Sequence, residues 1–331
     1  MNIEKPLRIG FLGQGNVGSE VINQLHTQGA MLARRAGRPI IVEAIHRRHP
    51  EHAGDFFTRN RDLYRPIKDI LSDPIIDVIC ELIGDVELTR QAILQALRNG
   101  KHVVTANKAF LADELPLLRQ EAKLNNVQLR FEAAVAGGIP IIECLQTNGA
   151  NDNIDTIRGI INGTTNFVLW KMATQGTSLA NALRNAQELG YAEADPRADI
   201  FGHDAAQKLS VLIECAFGEH IKPPSISTCG IDKITSDDIK RASEQHRVVK
   251  LIAHAERTQK GIHARVGPEN VPEESLFGQV PSNGNVIEMS NAHGVVYTLC
   301  GEGAGGKPTA ASVLADILAL AQSSERTLRN R

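Results

Sequence analysis

Residues 190–208 read GYAEADPRADIFGHDAAQK and set four acids, Glu193, Asp195, Asp199 and Asp204, ahead of Lys208. With the chain helical after Gly202, Asp204 and Lys208 fall at i and i+4 on one helical face, while Glu193 and Asp199 lie on the loop leading into it. Carboxylates at this density can hold an ammonium group, and a lysine beside them can give or take a proton. The same residues also suit an ordinary helix surface: an acid in the first turn favoured by the helix dipole, and a solvated pair contributing about 0.2–0.5 kcal/mol. What the rest of the chain builds around this segment decides between the two.

The elements that must position it begin at the N-terminus. The apolar run 7–12 (LRIGFL) has strand length and passes directly into Gly13-Gln14-Gly15-Asn16-Val17-Gly18, followed by helical apolar spacing in SEVINQLHTQG. This GxGxxG pattern predicts dinucleotide binding. Gly13 permits the tight turn, Gly15 lets the backbone approach a pyrophosphate, Gly18 allows close helix packing, and the helix start at Asn16 and Val17 offers free N–H groups to the anion. The next strand, 40–45, ends in His46-Arg47-Arg48 instead of an acid, and its nearest acid, Glu43, lies inside the strand. Arginines there accommodate a 2′-phosphate, so NADP is the expected preference over NAD, although solvated loop arginines would look the same in sequence.

Strand 75–82, helix 89–97 and strand 102–105 continue the alternation of a parallel sheet, whose ligands gather at the carboxyl ends of the strands. Ile83-Gly84-Asp85 and Thr105-Ala106-Asn107-Lys108 fall there, which makes Lys108 a site candidate. Past the glycine-rich turn in FEAAVAGGIP (131–140) the regular alternation ends.

Composition narrows the function classes. A chain of 331 residues suggests about two domains. Its formal net charge of −2 leaves no basic excess for a phosphate backbone, so no nucleic-acid partner is expected. No apolar run of membrane-spanning length and no leader pattern is evident, giving an expectation of a soluble cytoplasmic protein. The five cysteines lack CxxC spacing, which disfavours a zinc site and a disulfide framework. Cys144, in the apolar IIECLQ, is poorly placed as the nucleophile of a phosphorylating aldehyde dehydrogenase, the nearest enzymatic rival.

TANKA at 105–109, EAAVAGGIPII at 132–142, GIINGTTNFVL at 159–169, GYAEADPRAD at 190–199, GHDAAQKL at 202–209 and GEGAGGKPTAASVLADIL at 301–318 together resemble homoserine dehydrogenases over nearly the whole chain. The resemblance implies a Rossmann-type doubly wound parallel sheet plus an α+β domain for catalysis and dimerisation. Residues 1–131 would form the first, with 300–331 returning to it, and residues 132–299 the second. It implies NAD(P)H-dependent, reversible reduction of L-aspartate 4-semialdehyde to L-homoserine, on the route to threonine, methionine and isoleucine, by a homodimer.

Carried over residue by residue, Lys208 would be the acid/base, with Lys108 as a second lysine near the nicotinamide and Asp204 orienting lysine or substrate. Gly163, Thr164, Tyr191, Glu193 and Asp199 would line the amino-acid pocket, although Thr164 and Thr165 equally suit a helix N-cap. Gly303 would approach the cofactor. A monovalent cation, usually sodium, would take Glu132 and the carbonyls of Val135, Gly137 and Ile139, an all-oxygen shell suited to a hard cation. Only about a dozen residues follow Leu318, so the resemblance is to a short form, without threonine feedback through a C-terminal domain.

Overall fold

A computed structural model describes residues 5–149 and 154–329, and their contacts resolve two units, Met1–Ala134 with Thr309–Arg331, and Val135–Pro308. In the first, strands β1 (Leu7–Leu12), β2 (Ile40–His46), β3 (Val78–Glu81), β4 (His102–Thr105) and β5 (Leu129–Arg130) run parallel in the order β2-β1-β3-β4-β5. The chain leaves the sheet centre toward β2 and returns on the other side at β3, so strand order reverses between β1 and β3. That reversal opens a crevice at the strands' carboxyl ends.

Leu7, Ile9 and Phe11 of β1 share one core with Val21, Ile22 and Leu25 of α1 (Asn16–Thr27) and with Ala310, Val313 and Ile317 of the C-terminal helix Gly306–Arg329. Each large side chain there contributes about 1.5–3 kcal/mol by leaving water. On the opposite face, a Cβ on Gly10 would lie 2.5 Å from the Ile70 side chain, so only glycine lets that layer pack this closely. Helix α2 (Val86–Arg98) packs on β3 and β4, and α3 (Lys108–Leu124) on α2 and β5. Strand β3 starts later than the expected residue 75. Asp73 holds residues 73–76 in a turn, its side chain accepting the Ile75 N–H at 3.0 Å and its carbonyl the Ile76 N–H at 3.3 Å.

The second unit is built on a mixed sheet of β6 (Thr156–Ile160), β7 (Ser227–Thr228), β8 (Arg247–Thr258), β9 (Gly261–Pro272), β10 (Gly284–Asn291) and β11 (Gly294–Glu302). The order is β11-β10-β6-β8-β9-β7, antiparallel except for β7 beside β9. Residues 300–302, expected to return to the nucleotide-binding unit, instead finish β11, because Glu302 pairs with Gly284 in the second unit's ladder. Helices α4 (Gly163–Gln175), α5 (Leu179–Glu188) and α6 (His203–Phe217) belong to the unit's helical layer. No helix of the described residues is long and apolar enough to cross a membrane.

Inside this unit lies a lysine that pattern alone would have put at a surface. Lys250 of β8 is 2% exposed, and its Nζ donates to Asn166 Oδ1 at 2.8 Å and to the Val280 carbonyl at 2.7 Å. Burial lowers its ammonium pKa to about 8. The unfolded chain therefore holds a proton that the folded chain has released between pH about 8 and the ordinary lysine value near 10.4. Stability is expected to rise with pH across that window, by up to roughly 3 kcal/mol from this group. Lys250→Met should flatten the rise when denaturant unfolding is compared at pH ~7.5 and ~10.

Candidate active site

The Asp204–Lys208 pair is not a solvated surface pair. Gly202, at φ +81, breaks the chain into α6 from the left-handed region that glycine favours. One turn on, Lys208 Nζ lies 2.8 Å from Asp204 Oδ2, with the two side chains only 11% and 9% exposed. Lys208 also donates to the Ile161 carbonyl at 3.0 Å. A lysine held from two sides has its position set before any substrate arrives.

Asn162 connects the parts. As N-cap of α4, its Oδ1 accepts the Thr165 N–H at 2.8 Å, and its Nδ2 donates to Asp199 Oδ1 at 2.6 Å and Asp204 Oδ2 at 2.8 Å. The cap is thus Asn162 and neither Thr164 nor Thr165. Thr165 spends its hydroxyl on Asn162, while Thr164 donates to the Tyr191 carbonyl at 2.6 Å, tying the helix start to the acidic loop. Burial pushes the Asp199 carboxyl above its usual range, and the Asp204 charge adds to this; the Asn162 bond and the Lys208 charge pull it back. Gly163 has the Asn283 carbonyl where a Cβ would stand, at 2.7 Å, so the backbone there is packed as closely as it can be.

Lys208, Asp204, Asp199, Thr164, Gly163 and Tyr191 are therefore brought together, with Tyr191 against the Phe167 ring at 5.1 Å. Glu193 is exposed and joins through its backbone, its carbonyl accepting from Gln187 Nε2 at 3.1 Å. Asp195 stands apart in a bidentate pair with Arg197, which lowers its carboxyl to about 2. Asn162 escaped the residue-by-residue reading, although an Asn directly before a helix start is a standard cap signal.

In the first unit, the three glycines of GQGNVG divide their tasks as their chemistry requires. Gly13 has φ +107, and a Cβ on it would meet the Leu82 carbonyl oxygen at 2.5 Å. A Cβ on Gly18 would meet the Gly13 carbonyl at 2.4 Å, whereas around Gly15 nothing lies within 4 Å. The first and third are closed by protein, and the second is open to a ligand. Gly15 caps α1 without a side-chain bond, leaving the N–H groups at Asn16 and Val17 facing an anion site. A cleft of about 610 Å³ runs from Gly13 and Gly15 past Arg47 and Arg48 to Gly84 and Asp85. Glu43, the nearest acid, is occupied by Arg8 and, at 3.6 Å, by Arg65. These residues fit a dinucleotide.

Beneath the cleft is a second feature that the motif reading missed. Glu81, fully buried at the end of β3, accepts from the Ile83 N–H at 2.6 Å, Thr89 Oγ1 at 2.9 Å and Thr105 Oγ1 at 2.6 Å. Asn107 feeds both threonines, its N–H to Thr105 Oγ1 and its Nδ2 to Thr89 Oγ1, each at 3.1 Å. Every donor points inward to one carboxylate, which fixes the 83–85 and 105–108 loops and with them Lys108, half-buried at the start of α3. Burial raises the Glu81 carboxyl, and its three hydrogen bonds oppose that.

Glu132 belongs to the first unit, is 4% exposed, and its N–H donates to Asp316 Oδ2 at 2.8 Å. Val135, Gly137 and Ile139 belong to the second, in a turn with φ +56 at Ala136 and +57 at Gly137, and the Ile139 carbonyl accepts the Ile141 N–H at 2.8 Å. Gly303 is also in the second unit, buried against Gly137 and Asn285.

Comparison with known proteins places the chain in a family. Residues 140–318 match the homoserine dehydrogenase family model, and residues 13–132 match the model for the homoserine dehydrogenase NAD-binding domain. The homoserine dehydrogenase of Pseudomonas aeruginosa is 40% identical over 328 residues, covering 99% of this chain and 75% of that one. The crystal structure of a homoserine dehydrogenase from Thiobacillus denitrificans superposes with a TM-score of 0.92 at 39% identity, covering 97% of this chain and 74% of that one. A hyperthermophilic archaeal homoserine dehydrogenase in complex with NADPH gives 0.80 at 26% identity, covering 95% and 97%. The chain belongs to the homoserine dehydrogenase family of NAD(P)-dependent oxidoreductases.

Proposed function

We propose that the protein interconverts L-homoserine and L-aspartate 4-semialdehyde, with Lys208 moving the proton, in the biosynthesis of threonine, methionine and isoleucine. The observation that carries this is the Lys208 ammonium, held at 2.8 Å from Asp204 and 3.0 Å from the Ile161 carbonyl in a nearly dry pocket. Those contacts account for two of its three protons. Among the described residues the third has no acceptor, and it can meet an oxygen that gains negative charge as it becomes an alkoxide, where a cation and proton donor stabilise most. A bound dinucleotide supplies and receives the hydride. In the oxidation direction Lys208 accepts the hydroxyl proton.

Asp199 and the exposed Glu193 are assigned to the substrate α-ammonium, and the Gly163 N–H with the Thr164 hydroxyl to its carboxylate. Asp204 orients the lysine. Gly15, Asn16 and Val17 hold the pyrophosphate in the cofactor loop that Gly13 and Gly18 shape, with Lys108 and Gly303 toward the nicotinamide. A monovalent cation held by Glu132 and the carbonyls of Val135, Gly137 and Ile139, and a homodimer formed through the second unit's sheet, follow from the family resemblance. The chemistry of the cation set fits a hard cation, since every ligand is oxygen.

NADP is the preferred cofactor. Arg47 and Arg48 follow β2 along the dinucleotide cleft, while Glu43, the acid that could have taken a ribose 2′-hydroxyl, is tied to Arg8 and Arg65. The double substitution Arg47→Ala/Arg48→Ala is expected to lower kcat/KM with NADP on the order of tenfold or more while sparing NAD. Steady-state kinetics with each cofactor checks this, and an unchanged NADP:NAD ratio would remove the assignment. The function itself is tested by homoserine-dependent reduction of NADP by the purified protein, followed at 340 nm.

A further inference from the structure

Asn285 of β10 is 1% exposed, and both polar atoms of its carboxamide, Oδ1 and Nδ2, are buried without a hydrogen-bond partner among the described residues. Buried amides are rarely left this way, because removing donor and acceptor from water has a cost that nothing offsets. The unit's other buried amides behave as expected: Asn162 and Asn166 each use donor and acceptor together.

Its position makes the exception informative. The β10–β6 ladder pairs Val286 with Ile160, so Asn285 is the next residue toward Ile161, whose carbonyl holds Lys208 at 3.0 Å, and toward Asn162. On its other side Asn285 stands opposite Gly301. Its carboxamide occupies the space of a Cβ on Gly303, which would lie 2.0 Å from the amide carbon. Two residues earlier, the Asn283 carbonyl fills the same space at Gly163, at 2.7 Å. An unsatisfied amide thus sits between the NGTT segment and the GEGAGG turn, and Gly303 leaves it room.

We propose that the Asn285 carboxamide contacts a bound reactant, pairing with a group that donates and accepts a hydrogen bond at once. An anion or a cation would satisfy only one of its two atoms; a hydroxyl or a primary carboxamide satisfies both. Two reactants of the dehydrogenase reading, on which this inference rests, carry such a group: the alcohol of the amino-acid substrate and the carboxamide of the nicotinamide ring.

The test is Asn285→Leu, which keeps the size and removes both polar atoms, with Asn285→Ala as a second variant should the first not fold. Three quantities are read: the thermal midpoint of ligand-free protein, the NADPH dissociation constant by fluorescence, and the kinetics with homoserine. Leu should raise the ligand-free midpoint by a few degrees, roughly, because it removes a buried desolvated amide. It should weaken one reactant on the order of tenfold. If the partner is the substrate alcohol, KM for homoserine rises and the NADPH constant holds. If it is the nicotinamide carboxamide, the NADPH constant rises, and the variant no longer discriminates against a 3-acetylpyridine dinucleotide, which lacks the N–H. Unchanged affinity for both reactants would overturn the inference and leave Asn285 a structural amide. Absence of homoserine turnover in the unaltered enzyme would instead count against the dehydrogenase reading, while the NADPH arm would still test Asn285.

Discussion

Lys208→Ala should lower turnover of homoserine by roughly 10²–10⁴-fold while leaving the NADPH dissociation constant within about twofold, because the lysine acts on the reacting oxygen and not on the dinucleotide. Alanine does more than remove the proton carrier. It leaves Asp204, buried to 7% exposure, with its Asn162 bond but without the ammonium 2.8 Å away. A buried carboxylate that has lost its neighbouring cation takes up a proton more readily, so the variant should lose stability toward neutral pH as well as activity. Two controls separate these effects. Lys208→Arg preserves the charge beside Asp204 but holds its protons too tightly to exchange them near neutrality; it should restore stability and not turnover. Small primary amines in solution should restore part of the turnover of Lys208→Ala in proportion to the fraction present as free amine. Turnover above about a tenth of normal in Lys208→Ala, with no response to added amine, would take the acid/base role away from this residue.

How much of this was legible in the chain follows from where each constraint lives. The dinucleotide loop could be read directly, since Gly13, Gly15 and Gly18 are demanded by backbone geometry that no other residue satisfies at the first and third positions. The i, i+4 relation of Asp204 and Lys208 was equally plain, but its burial was not, because burial comes from the chain segment 161–165 folding over it. Asn162 and Glu81 illustrate the other side. Each is a single polar residue in an apolar or turn segment, and each acquires its role from partners 37, 42 or 24 positions away. Strand β8 offers no alternation to read, for a related reason. Val249, Leu251 and Ala253 point to one face of β8, Lys250 and Ile252 to the other, and all five are buried, so the alternation that marks a half-exposed strand is missing.

Asn162→Asp is expected to cost about as much turnover as a direct loss from the proton-transfer machinery, on the order of 10²-fold at neutral pH, although Asn162 need not touch the substrate. The change is a single atom type. Asp would still accept the Thr165 N–H and keep the α4 cap, so the helix start should survive. What it loses is the Nδ2 donor that now bonds Asp199 at 2.6 Å and Asp204 at 2.8 Å. An oxygen in that place would put three carboxyl groups within direct contact in a pocket where burial already raises Asp199 and the Asp204 charge adds to it. Two like charges in one dry site cannot both remain ionised without cost, so the cluster would bind an extra proton. That proton would serve as the missing donor, which fixes the sign of the pH effect: turnover by the variant, relative to the unaltered enzyme, should recover as pH falls and the shared proton returns. Asn162→Ala removes the amide without adding charge; it should lose about 0.5–2 kcal/mol of stability with the cap and show no such acid recovery. Parallel kcat profiles for the two variants between pH ~5.5 and ~9 distinguish a positioning role for Asn162, transmitted through the carboxylates to Lys208, from a purely structural cap.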